Sequence, residues 1–327
     1  MPQPERALIS RIRNMAQDSG RARGGPAVIL TGIGDDCAVL RVPREYDTLV
    51  TTDFSLEGIH FRRDWHPAEA VAHRCLCRGL SDIAAMGGEP VAAFLSLASP
   101  RDLGQRWVDS FMRGLVRLAR KYGATVSGGD TAESPGGVLA DIIVVGAVPK
   151  GTAVLRSGAR AGDAIYVSGT LGASAAAVEE LERHPEGKLN PRSYARHFHP
   201  EPRIELGRIL REKQLASAMI DTSDGLSVDL AHICEESGVG AELEADAIPT
   251  ANVGRPPHEV DLELALHGGE DYELLFTAPA EKRIPVRIAG VPITRIGYIK
   301  RQKKILLMHR GGGSSGLPPR GWEHFRK

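Results

Sequence analysis

Apolar residues recur at helical spacing in some segments and gather in short runs in others, and the two patterns alternate along most of the chain. Leu8, Ile9, Ile12 and Met15 share one helical face, which predicts an opening helix over residues 4–18. Runs rich in Val, Leu and Thr predict strands, because branched side chains pack well on a pleated surface. Strands are expected near 26–31, 37–42, 47–54, 91–98, 124–127, 138–148, 163–168, 217–221, 240–244, 271–278 and 293–300. Helices are expected from Pro67 to the Gly87–Gly88 pair and near 102–122, 171–184, 203–213, 224–237 and 259–266.

This alternation predicts a mixed α/β (α+β) fold, and the length of 327 residues favours two domains. Residues 151–169 have the turn density of a connection between domains, so the expected domains are 1–150 and 151–327. Each half mixes strands with helices and contains one Ser-Asp pair, which is weak evidence for two related halves. The GGGSSG run at 311–316 is expected to be a flexible tail or linker.

Composition and charge exclude several classes of protein. Lys+Arg and Asp+Glu both number 41, so no global field attracts nucleic acid or an anionic membrane. No apolar run approaches the roughly 20 residues that span a bilayer, and charges interrupt the N-terminal segment where a signal peptide is apolar. The 4 cysteines are too scattered for a disulfide framework or a zinc site. A cytoplasmic location is therefore expected.

Short acidic motifs punctuated by glycine are the main chemical signal. Mg²⁺ prefers small oxygen ligands, and phosphate is bound by backbone N–H groups that glycine makes accessible. Their number and distribution predict one polyphosphate site that is assembled from several loops. The motifs are GIGDD (32–36), TTDFSLEGIHF (51–61), LSDIAAMGGEP (80–90), SGGDT (127–131), IDTSDGL (220–226) and GGEDYELLF (268–276).

Each of these motifs has a simpler structural interpretation. GIGDD lies between two predicted strands and is compatible with a solvated tight turn. If the segment is extended, Asp35 and Asp36 point to opposite sides, so only one of them is expected to be a ligand. SGGDT and GGEDY are also compatible with turns, and a Ser or Asp is an expected N-cap before the helix at 224. Taken together, the motifs favour a shared site for several metal ions.

Asp82 stands out by its position on the predicted helix that begins at Pro67. Val71, Cys75, Arg78 and Asp82 follow one another at steps of three and four, so a carboxylate lies on a largely apolar stripe. A buried carboxylate needs a partner. Arg78, one turn earlier, and a bound metal ion are both possible partners.

Other catalytic signatures are missing from the sequence. It contains no G-x-x-x-x-G-K-[ST], and the G-x-S-x-G and G-x-G-x-x-G patterns occur only within the GGGSSG run at 311–316, which precedes no predicted helix. Serine-hydrolase, P-loop and dinucleotide-binding chemistry are therefore not expected, and any ATP site must use another fold.

The six motifs, in this order and together with LRSGARAGDAIYVSG and the terminal GWEHF, resemble the thiamine-monophosphate kinases. The resemblance covers nearly the whole chain, and the family's TTD-x-LVEG-x-HF pattern appears as TTDFSLEGIHF, with Ser55 and Leu56 as the departures. It implies the fold of aminoimidazole ribonucleotide synthetase, with an N-terminal domain that forms a homodimer through its sheet. The C-terminal α/β domain would complete the active site.

The resemblance also implies roles for individual residues. Gly129, Asp130, Arg156 and Ser223 correspond to ATP-binding positions, and His60, Glu270 and Trp322 to positions that bind thiamine monophosphate. Several Mg²⁺ ions are the expected cofactors, and their ligands would be Asp36, Thr51, Thr52, Asp53, Asp82, Asp130, Asp221 and Asp224.

The implied reaction is direct in-line transfer of a phosphoryl group from ATP to thiamine monophosphate, without a covalent nucleophile. Two alternatives stay open. One is another ATP-dependent synthetase of the same superfamily, although selenophosphate synthetases carry a reactive residue near the N-terminus and residues 1–31 contain no Cys. The other is a non-catalytic protein that binds magnesium and nucleotide.

Overall fold

The chain forms two compact units in a computed structural model that describes residues 5–17, 28–33, 37–186 and 189–322. The first unit comprises Met1–Ile83 and Gly88–Thr152, and the second comprises Ala84–Gly87 and Ala153–Lys327. Both units mix helices and sheets, as the alternating sequence pattern predicts. Among the described helices, none is both long and apolar enough to cross a membrane.

The first unit is built on a four-stranded sheet in the order β3-β6-β4-β5. Its neighbours are antiparallel except for the parallel pair β4–β5, and a small hairpin of β1 and β2 lies outside this sheet. The strands are β1 Val28–Thr31, β2 Val39–Arg41, β3 Tyr46–Leu56, β4 Glu89–Ser99, β5 Thr125–Glu133 and β6 Leu139–Pro149. The helices are α1 Glu5–Gln17, α2 Ala68–Ala85 and α3 Gln105–Lys121. The last two residues of α2, Ala84 and Ala85, belong to the second unit.

Close packing of α2 on the sheet depends on Gly79. A Cβ atom there would lie 2.5 Å from Cγ2 of Val144 on β6 and 3.5 Å from Cγ2 of Thr51 on β3. Leu76 and Leu80 on the same helix are fully buried. A larger residue at position 79 would clash with Val144 on β6, so glycine allows α2 to pack closely on this part of the sheet.

The second unit contains an eight-stranded, largely antiparallel sheet in the order β16-β15-β9-β14-β7-β12-β8, with β13 paired to β14. The strands that follow β6 are β7 Ala164–Ser168, β8 Ala218–Asp221, β9 Gly240–Glu244, β10 Asn252–Val253, β11 His258–Glu259, β12 Leu274–Ala278, β13 Arg287–Ile288, β14 Val291–Lys300, β15 Ile305–Met308 and β16 Ser314–Gly316. The helices are α4 Ala173–Arg183, α5 Ala195–Phe198, α6 Ile204–Glu212, α7 Leu226–Ser237 and α8 Leu262–His267. One apolar cluster includes Leu230 and Ile233 of α7, and another includes Leu206 and Leu210 of α6.

Two sequence predictions about local structure are wrong. The GGGSSG run is not a free linker, because Ser314, Ser315 and Gly316 pair with Met308, Leu307 and Leu306 in the sheet. The strand predicted at 124–127 is too short, because β5 continues through the SGGDT motif to Glu133, and this excludes the simple turn that was one of the two interpretations of that motif. In both segments the backbone hydrogen bonds of a neighbouring strand outweigh the weak strand preference of glycine and serine.

Candidate functional site

An acidic group lies where the end of β3 meets α2 in the first unit. Asp53 and Thr51 alternate on β3, so both side chains leave the same face of the sheet. Thr51 Oγ1 donates a short hydrogen bond to Asp82 Oδ2 on α2. The structure therefore brings together three of the predicted metal ligands: a hydroxyl and two carboxylates.

Asp53 is the electrostatically perturbed member of this group. Burial, followed by the negative charge of Asp82, raises the pKa of Asp53 from 3.8 to about 7, and the nearby Arg78 only partly opposes this rise. Asp53 Oδ2 is buried and accepts no hydrogen bond. Arg78 Nη1 donates to the carbonyl oxygen of Phe54 at 3.1 Å. The charge of Arg78 therefore does not fully compensate the Asp53 carboxylate, which suits the binding of a cation there.

The other face of the same sheet carries a second row of polar groups. Thr52 Oγ1 donates to Asp141 Oδ1 at 2.8 Å. The register aligns Asp141 on β6 with Ser96 on β4, and Ser96 in turn with Asp130 on β5. Two strand spacings place the backbones of Asp141 and Asp130 about 10 Å apart. Thr52 and Asp130 are predicted ligands. Asp141 was not predicted, although its carboxylate stands out within the apolar run LADIIVVGAV (139–148).

A cavity of about 530 Å³ in the first unit borders the Gly129–Asp130 segment. Apolar side chains form part of its wall, among them Phe94, Met112 and Val126. Gly129 has φ 144°, and a Cβ atom there would lie 1.8 Å from the carbonyl oxygen of Leu95, so only glycine fits. This cavity has the size of a small-molecule site.

His60 and Arg156, two predicted binding residues, are held by backbone contacts in different units. The Leu56 N–H donates to His60 Nδ1 at 3.0 Å, which fixes the imidazole beyond the end of β3. Arg156 is exposed in the second unit, and its carbonyl oxygen accepts from Ser237 Oγ at 3.1 Å. Leu155, the residue before Arg156, is also held by its backbone, because its carbonyl oxygen accepts from the Met219 N–H of β8 at 3.0 Å.

A second acidic group lies at the end of β8 in the second unit. Asp221 ends the strand, and Asp224 follows in the loop before α7. Asp229 in the first turn of α7 is 1% exposed, and burial, then the charges of Asp221 and Asp224, raise its pKa well above the ordinary value. Asp229 Oδ2 accepts from the Gly225 N–H at 3.1 Å. Asp229 was not among the predicted ligands, although it shares the apolar stripe of Leu226 and Leu230.

The predicted Glu270 and Trp322 lie around the same loop. The Glu270 N–H donates to the carbonyl oxygen of Ser223 at 2.8 Å, and the Trp322 N–H donates to that of Asp224 at 3.0 Å. Trp322 is 51% exposed and therefore presents much of its indole to solvent. The structure thus gathers Asp221, Ser223, Asp224, Glu270 and Trp322 at one place in the second unit.

The other two acids of the GGEDYELLF motif point into the protein. Burial raises the pKa of Asp271 to about 7, and its carboxylate accepts from the N–H groups of Gly172 and Ser174. Burial would also raise the pKa of Glu273, but a hydrogen bond and charge from Arg203, together with the charge of Arg196, hold that pKa below its ordinary value. Asp271 and Glu273 are therefore internal anchors.

The acidic groups do not form a complete metal cage by themselves. Over the ranges that the structure describes, no three acidic, His or Cys side chains lie close enough to hold a metal ion. Mg²⁺ commonly takes only one or two carboxylates and completes its shell with water and substrate phosphates. The oxygen-only donors and the unpartnered Asp53 Oδ2 fit that mode of binding. Asp36, another predicted ligand, lies outside the described residues.

Comparison with known proteins decides the family. The N-terminal domain of AIR synthase related proteins matches residues 34–154, and their C-terminal domain matches residues 160–307. The thiamine-monophosphate kinase of Salmonella typhimurium is 39% identical over 93% of this chain and 95% of its own length. The chain belongs to the thiamine-monophosphate kinase family. The predicted family and two-domain mixed fold are confirmed.

Solved structures of this family agree over the whole fold. The thiamine-monophosphate kinase of Stenotrophomonas maltophilia K279a has a TM-score of 0.78 and 34% identity, covering 92% of this chain and 95% of its own. A structure of AaThiL complexed with AMPPCP and TMP has a TM-score of 0.76 and 31% identity, covering 97% and 96%. Family membership therefore extends across both units.

Proposed function

We propose that this protein transfers the γ-phosphoryl group of ATP to thiamine monophosphate and forms thiamine diphosphate and ADP. The observation that carries the proposal is the likeness, over 97% of this chain, to a family member complexed with AMPPCP and TMP. AMPPCP is an ATP analogue with a methylene bridge between its last two phosphorus atoms, so that pair of ligands represents a donor and an acceptor. We further propose that the protein works in the cytoplasm, where ATP and Mg²⁺ are supplied.

The acidic groups of both units are the proposed ligands of several Mg²⁺ ions. When bound, these ions would neutralise the phosphates of donor and acceptor and favour an in-line arrangement. Support comes from the mutual repulsion of the Asp53 and Asp82 carboxylates, which a cation would relieve. The carboxylates of Asp221, Asp224 and Asp229 repel one another in the same way. The proposed ligands are Asp36, Thr51, Thr52, Asp53, Asp82, Asp130, Asp221 and Asp224, with Asp141 as a further carboxylate beside Thr52.

ATP is proposed to use the cavity beside Gly129. Apolar groups such as Phe94 and Met112 suit the adenine ring, and the glycine backbone lets phosphate oxygens approach peptide N–H groups. Ser223 and Arg156 are proposed to bind ATP as well, because they match the family pattern. The exposed Arg156 would add positive charge at the phosphates.

The acceptor needs neither a general base nor a covalent nucleophile. The second pKa of a phosphate monoester is about 6, so its attacking oxygen is ionised at neutral pH. The buried thiols fit this view, because burial raises the pKa of Cys75 and of Cys234 to about 12. These two cysteines carry almost no thiolate at neutral pH and are poor nucleophiles.

The thiamine moiety is proposed to bind at Trp322, Glu270 and His60. The half-exposed indole of Trp322 can stack on a flat cationic thiazolium, and the carboxylate of Glu270 favours the same positive charge. Both residues are hydrogen-bonded through their backbones to the Ser223–Asp224 loop. His60 is included because it matches the family pattern.

Replacing Trp322 with Ala is expected to raise the KM for thiamine monophosphate by about tenfold, which is the loss of one stacking contact of about 1.4 kcal/mol. The KM for ATP should change by less than about twofold, since no stacking on adenine is lost. Initial rates at varied concentrations of each substrate measure both constants. Trp322→Phe keeps an aromatic face and serves as the control. Equal effects on the two KM values would show that Trp322 does not bind the acceptor.

A homodimer is also proposed, formed through the face of the β3-β6-β4-β5 sheet that lacks α2. Val50 is 66% exposed and Phe54 is 55% exposed on this face, next to the half-buried Ile143 and Val145. These four side chains form an apolar patch beside the polar row of Thr52 and Asp141 on the same face, and an exposed apolar patch favours association with a partner. A second copy of the chain, the partner implied by the family pattern, would cover the exposed face.

Substitution of Val50 by Lys is expected to convert the dimer to a monomer, because the interface would then bury an unpaired ammonium group. Size-exclusion chromatography with light scattering at micromolar concentration measures the mass. Val286→Lys changes an 81% exposed valine of the second unit and should leave the mass unaltered. A wild-type protein that elutes as a stable monomer would contradict the dimer.

The activity is tested by incubating the protein with ATP, Mg²⁺ and one of several acceptors, followed by chromatographic detection of thiamine diphosphate. Thiamine monophosphate should be converted, whereas free thiamine should react poorly because its hydroxyl lacks an anionic oxygen. Nucleotide binding without turnover would favour the non-catalytic alternative. Turnover only with an unrelated acceptor would favour another synthetase of the superfamily.

A further inference from the structure

The Glu270–Tyr272 turn contains two residues in an unfavourable backbone conformation. Glu270 has φ 66° and Tyr272 has φ 53°, and neither is a glycine. Such angles bring the Cβ atom too close to the backbone and persist only where the surroundings enforce them. Asp271 lies between the two strained residues, so its contacts are expected to enforce their backbone conformation.

Asp271 is bound on the inside of the protein by the start of α4. Its Oδ2 accepts from the Gly172 N–H at 2.6 Å, and its Oδ1 accepts from the Ser174 N–H at 3.4 Å. These N–H groups lack partners within the helix, so the carboxylate caps α4 from a distant part of the chain. With only 6% of its surface exposed, Asp271 is fixed at both oxygens and cannot approach a substrate.

The residues on either side of Asp271 are bound to the loop that precedes α7. The Glu270 N–H donates to the carbonyl oxygen of Ser223 at 2.8 Å, and the Tyr272 N–H donates to that of Thr222 at 2.9 Å. The same turn is therefore attached to the start of α4 through the Asp271 side chain and to the loop before α7 through two backbone hydrogen bonds. Together these contacts hold Glu270 beside Ser223 and Asp224.

We infer that Asp271 is a positioning residue, which ties the strained turn to the start of α4 and so presents the Glu270 carboxylate to the thiazolium of the acceptor. Asp271 does not touch substrate in this account and acts only through Glu270. The inference about the turn stands on its own contacts, while the link to thiamine monophosphate rests on the proposed function. Glu273, two residues later, is anchored separately by Arg203 and Arg196.

Asp271→Asn is the direct test, because it keeps the shape of the side chain but turns an NH₂ group toward one of the two N–H donors. Hydrogen–deuterium exchange of peptides covering residues 268–274 should speed up by about tenfold or more, since the Glu270 and Tyr272 amides lose their fixed partners. Unchanged exchange in these peptides would overturn the positioning role whatever the substrate proves to be.

Kinetics then test whether Glu270 is the group that is positioned. Asp271→Asn should raise the KM for thiamine monophosphate about tenfold and that for ATP less than twofold. Glu270→Gln should have a similar effect, and the double variant should add little to either one, because both changes remove the same interaction. Additive effects would contradict action through Glu270. Wild-type protein that binds no thiamine monophosphate would refute the proposed function, while the exchange result still decides the role in the turn.

Asp163→Asn is the matched control. Asp163 is also 6% exposed and accepts from the Arg160 N–H at 3.0 Å and from Ser217 Oγ at 2.6 Å, on a loop before β7. The Asp163→Asn variant should have a lower Tm, but its two KM values and its hydrogen–deuterium exchange at residues 268–274 should match those of the wild type. If Asp271→Asn does not fold, Ser174→Pro removes one donor from the other side in the first turn of α4, where the N–H has no partner within the helix, with Ser174→Ala as its control. Equal exchange at 268–274 in those two variants would also contradict the inference.

Discussion

Replacing Asp53 with Asn is expected to lower kcat by about a thousandfold or more while leaving the fold intact. Asp53 Oδ2 is a buried oxygen without a hydrogen-bond partner, next to Asp82, and the proposed Mg²⁺ would be its partner. Asn offers one neutral oxygen in place of two charged ones, so it cannot hold the cation that neutralises the phosphates. Rates with ATP and thiamine monophosphate, together with circular dichroism, measure the effect.

Asp47→Asn on the same strand is the matched control for this experiment. Asp47 accepts from the Gly151 N–H at 2.7 Å and lies at the opposite end of β3 from Asp53. Its replacement should leave kcat within about twofold of wild type, since surface changes of this kind have small effects. A folded Asp53→Asn variant with a near-normal rate would remove Asp53 from the metal site.

The raised pKa of Asp53 gives the same variant a second signature in metal-free protein. The pKa is about 7 in the folded state against an ordinary value of 3.8, so the folded state binds a proton that the unfolded state releases. This contribution to stability is complete below pH 3.8 and is lost as the pH rises through 7. With EDTA present at pH 8, Asp53→Asn should therefore be more stable than wild type, by on the order of 2 kcal/mol. Identical pH dependence of the Tm in both proteins would contradict this assignment.

Glu273→Ala is expected to lower the free energy of unfolding of the second unit by about 3–5 kcal/mol. Arg203 Nε donates to Glu273 Oε2 at 2.7 Å, and Arg196 Nη1 donates to Oε1 at 2.7 Å. The glutamate side chain is 0% exposed and that of Arg203 is 13% exposed, so removing the carboxylate leaves a buried guanidinium without its counter-charge. Thermal and urea unfolding measure the loss.

Two comparisons make the Glu273 result specific. Glu179→Ala breaks an exposed ion pair with Arg183 within α4 and should cost no more than about 0.5 kcal/mol. Glu273→Ala combined with Arg203→Ala should be less destabilising than the sum of the single changes, because the unpaired charge is then removed. A Glu273→Ala protein as stable as Glu179→Ala would show that the buried pair contributes little.

Periodicity and local residue preferences were enough to predict most helices and strands, but pairing between distant segments was not predictable from them. β15 is only four residues long and follows a basic stretch, so nothing local indicated a strand that binds β16. The GGGSSG run, whose last three residues form β16, was therefore interpreted as a flexible tail or linker. The predicted strand likewise stopped at residue 127, before Gly129, because the alignment of Gly129 with Leu95 on β4 is a tertiary property.

The site was predictable where one carboxylate broke a clear pattern. Asp82 interrupts an apolar helical stripe, and the structure places it against Thr51. Asp229 and Asp141 break apolar patterns in the same way, but neither belongs to a glycine-rich motif, and both were missed. Adjacent acids of one motif could not be distinguished, because only the fold determines that the Asp271 side chain is buried at a helix start while the Glu270 N–H binds the carbonyl oxygen of Ser223.

Transfer of the γ-phosphoryl group from ATP to thiamine monophosphate is the central claim, and isotope tracing tests it most directly. ATP labelled with heavy oxygen in its γ-phosphate is incubated with thiamine monophosphate, Mg²⁺ and the protein, and the products are analysed by mass spectrometry. The account predicts thiamine diphosphate with the label in its terminal phosphate, formed in equal amount to ADP. Appearance of AMP, or of labelled inorganic phosphate without labelled thiamine diphosphate, would contradict it.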